Sequence, residues 1–130
     1  MINFNDLIGL RYKWQASPSD NSGYTDCFQL SMEVRKRLGC KSYVDDYAWV
    51  YSRYQEENLP ARQFLRWILT HFSRVKVPVE GCLFYLPADN GRIAMGAVSS
   101  DMDGFFIGPG NTVVRMDLAR LPQAKFFGEK

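Results

Sequence analysis

Asp26 and Cys27 are the pair of residues in this sequence whose types and position best suit covalent chemistry. A helical pattern starts at Cys27, and Thr25 or Asp26 can cap its N-terminus. A cysteine in the first helical turn lies near the partial positive charge of free N–H groups, which lowers its pKa and favours the nucleophilic thiolate. Such a nucleophile also needs a general base, normally a histidine, and a polar group that orients this base.

His71 is the only histidine of the chain and therefore the only imidazole base available. It lies four residues after Trp67 in a predicted helix, where a structural residue packed on that indole is the favoured interpretation. A relocated catalytic base remains an alternative. A metal site would need Cys40 or Cys82 at unusual spacing, so we predict neither a metal nor a cofactor. Cys27 could equally be a small buried hydrophobic residue.

Length and composition limit the classes of protein to which this chain can belong. Its 130 residues correspond to one domain, 1–130, with 16 basic and 14 acidic residues. This balance argues against nucleic-acid binding, and no apolar run is long enough to span a membrane. The first residues do not form a secretion signal. Three cysteines, an odd number, are typical of a reducing compartment.

The hydrophobic pattern divides the chain into helices followed by strands. Apolar positions recur at helical spacing in three segments, residues 27–38, 45–57 and 60–74. After Pro78, short apolar runs predict strands at residues 82–86, 93–98, 105–107 and 112–116, with a tight turn at 88–91 and a short tail from 118. The basic triplet at 35–37 is interpreted as a solvated helix end. This order predicts an α+β fold.

Several short motifs occur in the order of a known enzyme family. They are Ile8-Gly9-Leu10-Arg11-Tyr12-Lys13-Trp14, Asp26-Cys27-Phe28-Gln29-Leu30, Glu80-Gly81-Cys82-Leu83, Ala94-Met95-Gly96-Ala97-Val98 and Phe105-Phe106-Ile107. The order resembles the NlpC-type peptidoglycan peptidases, a family of papain-like cysteine peptidases. The resemblance implies a papain-like fold with N-terminal helices packed on a small antiparallel sheet. It also implies a nucleophile at Cys27 and a substrate cleft at Tyr12 and Asp26.

The sequence departs from this family at the positions that carry catalysis. The family histidine would stand at Ala94 or a neighbour (Arg92, Ile93 or Met95), and none of these is a base near neutral pH. No imidazole or amide occurs near Ile107, where the orienting residue would lie. Gln29 and Cys82 replace a family glycine and aspartate. Cys27 is therefore interpreted as a vestigial nucleophile.

The resemblance is strongest to free-standing phage tail-associated members of the family. The implied function is a catalytically inactive domain that binds virion or tail proteins, located in a phage particle assembled in the host cytoplasm. One alternative is an active peptidase or amidase that cleaves peptidoglycan stem peptides with Cys27 as nucleophile. Another is a non-enzymatic binder of peptidoglycan or peptides that keeps the cleft.

The aromatic residues suggest where such a domain contacts its partners. Nine Phe, seven Tyr and three Trp exceed what a core of this size usually needs. The predicted interface residues lie on the second helix and in the tail: Tyr47, Trp49, Tyr51, Phe126 and Phe127. Self-association into a homo-oligomer is a further expectation, since the net charge is only +2. The alternative is that both aromatic stripes pack inward.

Overall fold

The computed structural model describes residues 2–55, 58–87 and 93–130, and it combines helices with an antiparallel sheet. Three helices precede most of the strands in this part of the chain: α1 (Cys27–Arg37), α2 (Val44–Arg53) and α3 (Ala61–His71). The strands are β1 (Arg11–Tyr12), β2 (Tyr24–Thr25), β3 (Phe72–Val75), β4 (Leu83–Pro87), β5 (Ile93–Val98), β6 (Asp103–Ile107), β7 (Val113–Asp117) and β8 (Lys125–Glu129). The predicted α+β class is confirmed.

The main sheet has six strands in the order β3-β8-β4-β5-β6-β7, and each neighbouring pair is antiparallel. Strands β1 and β2 form a separate parallel pair two residues long. The predicted turn at residues 88–91 lies outside the described residues.

Helix α1 lies between the sheet and the other two helices. Its Leu30 and Val34 are fully buried on the face predicted from the sequence. The opposite side is also covered, because the Phe28 ring packs against Tyr47 of α2 and Trp67 of α3. A helix buried on both sides is a rigid support for residues at its N-terminus.

Two helices end earlier than predicted. Tyr54 already has extended backbone (φ −125°, ψ 150°), so α2 stops at Arg53 rather than continuing toward Glu57, which is outside the described residues. Residues 72–74, predicted as the end of the third helix, belong to strand β3 instead. Their strand conformation is stabilised by pairing with β8, a partner more than fifty residues away in the sequence.

The predicted tail forms a strand that lies between two others. Strand β8 pairs with β3 on one side and with β4 on the other, with Phe127 opposite both Arg74 and Leu83. Arg35 of α1, only 2% exposed, forms an ion pair with Glu129 and donates to the carbonyl oxygen of Gly81 at 2.6 Å. The prediction of a solvated helix end is therefore wrong for Arg35, because its charge is neutralised inside the fold.

Strand β5 separates two apolar clusters, one on each face of the sheet. Met95 and Ala97 belong to the cluster shared with the helices, whereas Val98 packs with Phe84 and Phe106 on the opposite face. This division follows from the alternation of side chains along a strand. Gly96 lies between these positions, and a Cβ there would come within 2.2 Å of the Phe105 carbonyl oxygen.

Candidate functional site

The N-terminus of α1 brings together the residues that the resemblance assigns to a catalytic cleft. Asp26 is the N-cap, and one of its carboxylate oxygens accepts the backbone N–H of Gln29 at 2.7 Å. Cys27 is the first residue of the helix, and the backbone N–H of Met95 in β5 is directed at its sulfur. The helix thus presents Cys27 to the middle of the sheet.

Met95, and not Ala94, occupies the position that faces Cys27. Ala94 pairs with Leu86, and Leu86 packs with the cluster on the face of the sheet opposite the helices. Because side chains alternate along β5, Ala94 also lies on that opposite face, while Met95 is fully buried on the helix side. Of the neighbouring positions where the resemblance would place a histidine, Met95 is therefore on the face that Cys27 meets, and its thioether is not a base near neutral pH.

The environment of Cys27 disfavours the thiolate. Burial is the main cause that raises the pKa of this thiol to about 12, and the neighbouring Asp26 carboxylate raises it further. The backbone N–H groups of Met95, Cys27 and Phe28 act in the opposite direction. Burial and charge together outweigh these N–H groups, so the activation expected from the helix N-terminus does not occur.

Asp26 is a buried acceptor of several hydrogen bonds. Its second oxygen accepts the Gln15 backbone N–H at 2.9 Å and the Tyr51 hydroxyl at 2.5 Å. The side chain is deeply buried, and this burial raises the pKa of Asp26 to about 6, although the three hydrogen bonds favour the charged form. Asp26 therefore holds the loop at Gln15 and helix α2 against the start of α1.

The predicted cleft residue Tyr12 lies in the same site. Burial chiefly raises the pKa of Tyr47, and the nearby Cys27, Asp26 and Tyr12 raise it further. Tyr12 also pairs with Thr25, directly before Asp26 and Cys27, so its backbone lies at the N-terminus of α1. The charges of Tyr12, Asp26 and Cys27 thus all act on Tyr47, a residue that the sequence had assigned to an interface.

Two of the five aromatic residues predicted for an interface belong to the interior instead, and two others are half-buried. Tyr47 is 1% exposed and stacks on Phe28 with ring centroids 3.7 Å apart, and Phe127 is 5% exposed within β8. Tyr51 is half-buried because its hydroxyl binds Asp26. Phe126 is half-buried against Phe84. The interface prediction is therefore wrong for Tyr47 and Phe127, whose burial contributes to the core.

Trp49 differs from these residues because it remains 40% exposed on α2. Its indole contacts Tyr54 edge to face at 6.3 Å. Successive residues of a helix point about 100° apart. Trp49 comes two residues after Tyr47 and therefore points to the opposite side, away from the core. Trp49 is the member of the predicted set that solvent reaches most readily.

His71 lies apart from the residues that surround Cys27. Its ring packs against Trp67 and Tyr43, each at a centroid distance of 4.9 Å, which confirms the predicted contact with Trp67. It is not among the groups that influence the Cys27 thiol. In the described part of the chain, no three His, Cys, Asp or Glu side chains are grouped so that they could hold a metal ion.

No family model, curated protein or solved structure matches this chain. Among the helices that the structure describes, none has both the length and the apolar character needed to cross a membrane.

Proposed function

We propose that this chain is a catalytically inactive NlpC-type domain of papain-like fold that serves as a protein-binding structural component of a phage virion or tail. The observation that carries the proposal is the residue opposite Cys27. On the face of β5 where Cys27 packs, the buried side chain is that of Met95, and a thioether accepts no proton near neutral pH, whereas a cysteine peptidase needs a base there.

The arrangement of the remaining site supports an origin in a papain-like peptidase. A cysteine begins a central helix, this helix packs on an antiparallel sheet, and Tyr12 pairs with Thr25, two residues before the cysteine. An aspartate N-cap next to the nucleophile occurs in the resembled motif as well. Here its charge opposes ionisation of the thiol, so the site keeps its architecture while its chemistry is lost.

The proposed lack of activity predicts that the protein will not cleave cell-wall substrates. Purified protein incubated with peptidoglycan, or with free stem peptides, should release no more product than a Cys27→Ala variant. The physical reason is that general-base catalysis, worth roughly 10²–10⁴-fold, has no group to perform it. Chromatography of the soluble fragments provides the measurement. Turnover that depends on Cys27 would contradict the proposal and favour the peptidase alternative.

The connection between β3 and β4 offers a surface for a protein partner. Val77 and Val79 are 74% and 58% exposed, and they flank Pro78 beside the edge strand β3. Two β-branched apolar side chains exposed within three residues can be buried against another chain. Their rigid side chains lose little conformational entropy on binding.

We expect negative charge on the surface formed by Val77 and Val79 to weaken incorporation of the protein into virions. In virions purified from cells that produce the protein, the wild type should be incorporated, and the double variant Val77→Asp, Val79→Asp should be reduced by about tenfold or more. Quantitative mass spectrometry of the particles measures both. An Ile8→Asp variant, at a site 46% exposed elsewhere on the chain, should be incorporated normally. Absence of the wild-type protein from such particles would overturn the assignment to the virion.

A further inference from the structure

Helices α2 and α3 border a groove with a volume of about 400 Å³. This size falls within the range of small-molecule sites in proteins. The residues around it combine two indoles with polar side chains: Asp46, Trp49, Gln63, Arg66, Trp67, Thr70 and His71. None of the residues gathered around Cys27 borders this groove, so it is separate from the site described above.

The two tryptophans give the groove an exposed and a buried indole. Trp49 is 40% exposed, whereas Trp67 is only 5% exposed. The Trp67 indole N–H is the only buried side-chain polar atom in the described residues without a hydrogen-bond partner. A buried donor in this state is costly, and a small side-chain movement that let it reach a ligand oxygen in the groove would lower that cost.

The polar side chains of the groove carry both signs of charge. Asp46 and Arg66 both border it but do not pair with each other. Gln63 and His71 form no side-chain hydrogen bond with another described residue, so their donors and acceptors are free for a ligand. An ion of either sign would be attracted by one of these two side chains and repelled by the other, so the groove favours neither sign of charge. A neutral molecule with several hydrogen-bonding groups suits this lining best.

We propose that the α2–α3 groove binds a saccharide. Sugars have an apolar C–H face, which stacks on an exposed indole such as Trp49, and hydroxyl groups around their edge. Planar carboxylate, amide and guanidinium groups bind such hydroxyls in pairs of hydrogen bonds, as Asp46, Gln63 and Arg66 can do here. This inference does not depend on the proposed function, because neither Cys27 nor the exposed Val77 and Val79 take part in it.

The three indole N–H signals of the 130-residue chain provide the test. A glycan array first screens for ligands. The glycans that it selects, together with chitotriose, cellotriose and maltotriose, are then titrated into the protein while ¹⁵N-edited NMR spectra are recorded. We expect at least one saccharide to shift the indole signals of Trp49 and Trp67 and to leave that of Trp14 in place. Trp14 lies beside Tyr51 and does not border the groove.

Two variants separate binding in the groove from binding elsewhere. Trp49→Ala should weaken the affinity at least about tenfold, as is common when a central aromatic contact is lost. Leu69→Ala on α3 is the matched control, because Leu69 is 51% exposed but does not border the groove, and its affinity should not change. Failure of every glycan to bind, or equal affinity in Trp49→Ala, overturns the proposal. Capture of a polypeptide through Trp49 with no glycan binding would also overturn it.

Discussion

Iodoacetamide should alkylate Cys27 of the native protein about 10³ times more slowly than Cys27 of the denatured chain, because alkylation requires the thiolate. Burial and the charge of Asp26 raise the pKa of this thiol from 9.0 to about 12, and three pKa units reduce the thiolate population by about 10³. Peptide mapping by mass spectrometry at several reaction times, with and without denaturant, measures the ratio. A value near this size would identify Cys27, which is half-buried, as an unreactive structural thiol.

The Asp26→Asn variant provides an internal comparison for this experiment. Removing the carboxylate charge should accelerate alkylation of Cys27 by less than the full ratio, because burial is the larger cause of the raised pKa. Rapid modification of the native wild type would contradict the interpretation. It would require a group that stabilises the thiolate, and none of the described residues around Cys27 other than backbone N–H groups has that effect.

Local signals in the sequence were sufficient to predict the elements that carry the site. Asp26 as a capping residue, followed by apolar residues at helical spacing, fixed the start of α1 at Cys27, as observed. The strand at residues 93–98 was also predicted with its observed bounds. Helix α1 and strand β5 are both determined by residues close together in the sequence and by which of their side chains are buried. A hydrophobic pattern indicates both of these properties.

Contacts between distant parts of the chain could not be predicted in the same way. Strand β3 exists because β8 returns to pair with it, whereas the apolar residues Ile68 and Phe72 alone favour a longer helix. The histidine position implied by the resemblance was placed at Ala94 or one of its neighbours, Met95 among them. Adjacent residues of a strand lie on opposite faces, so the sequence could not decide which of them shares a face with Cys27, and in the structure it is Met95.

Tyr47 and Tyr51 illustrate why site residues on α2 were missed. Their spacing predicts a helical stripe but does not reveal what the stripe contacts. In the structure, the stripe meets the N-terminus of α1, where the Tyr51 hydroxyl binds Asp26 and Tyr47 stacks on Phe28. A phenol at this place satisfies a buried carboxylate that water would otherwise solvate. Two aromatic residues of α2 are therefore used to cover the N-terminus of α1.

The free energy of unfolding should depend on pH because Asp26 is buried in the folded protein. Its pKa is raised from 3.8 to about 6 in the folded state, so the folded protein binds this proton more tightly than the unfolded chain. The contribution of protonated Asp26 to the free energy of unfolding is complete below about pH 4. It is lost as the pH rises through about 6, because the ionised carboxylate must then be buried. We expect the free energy of unfolding to fall by roughly 2–3 kcal/mol across this interval, as measured by urea denaturation.

Two variants determine whether Asp26 causes this change. Asp26→Asn removes the titrating group and should flatten the profile between about pH 4 and pH 6. Asp117→Asn is the matched control, because Asp117 also caps a short helical turn, by accepting the N–H of Ala119, but lies exposed to solvent. Asp6 and Asp20 have pKa values below the ordinary 3.8, so their stabilising contributions are lost as the pH falls below about 4, a change opposite in sign to that of Asp26. Stability that rises with pH between 4 and 6, or a slope that persists in Asp26→Asn, would show that hydrogen bonding outweighs burial at Asp26.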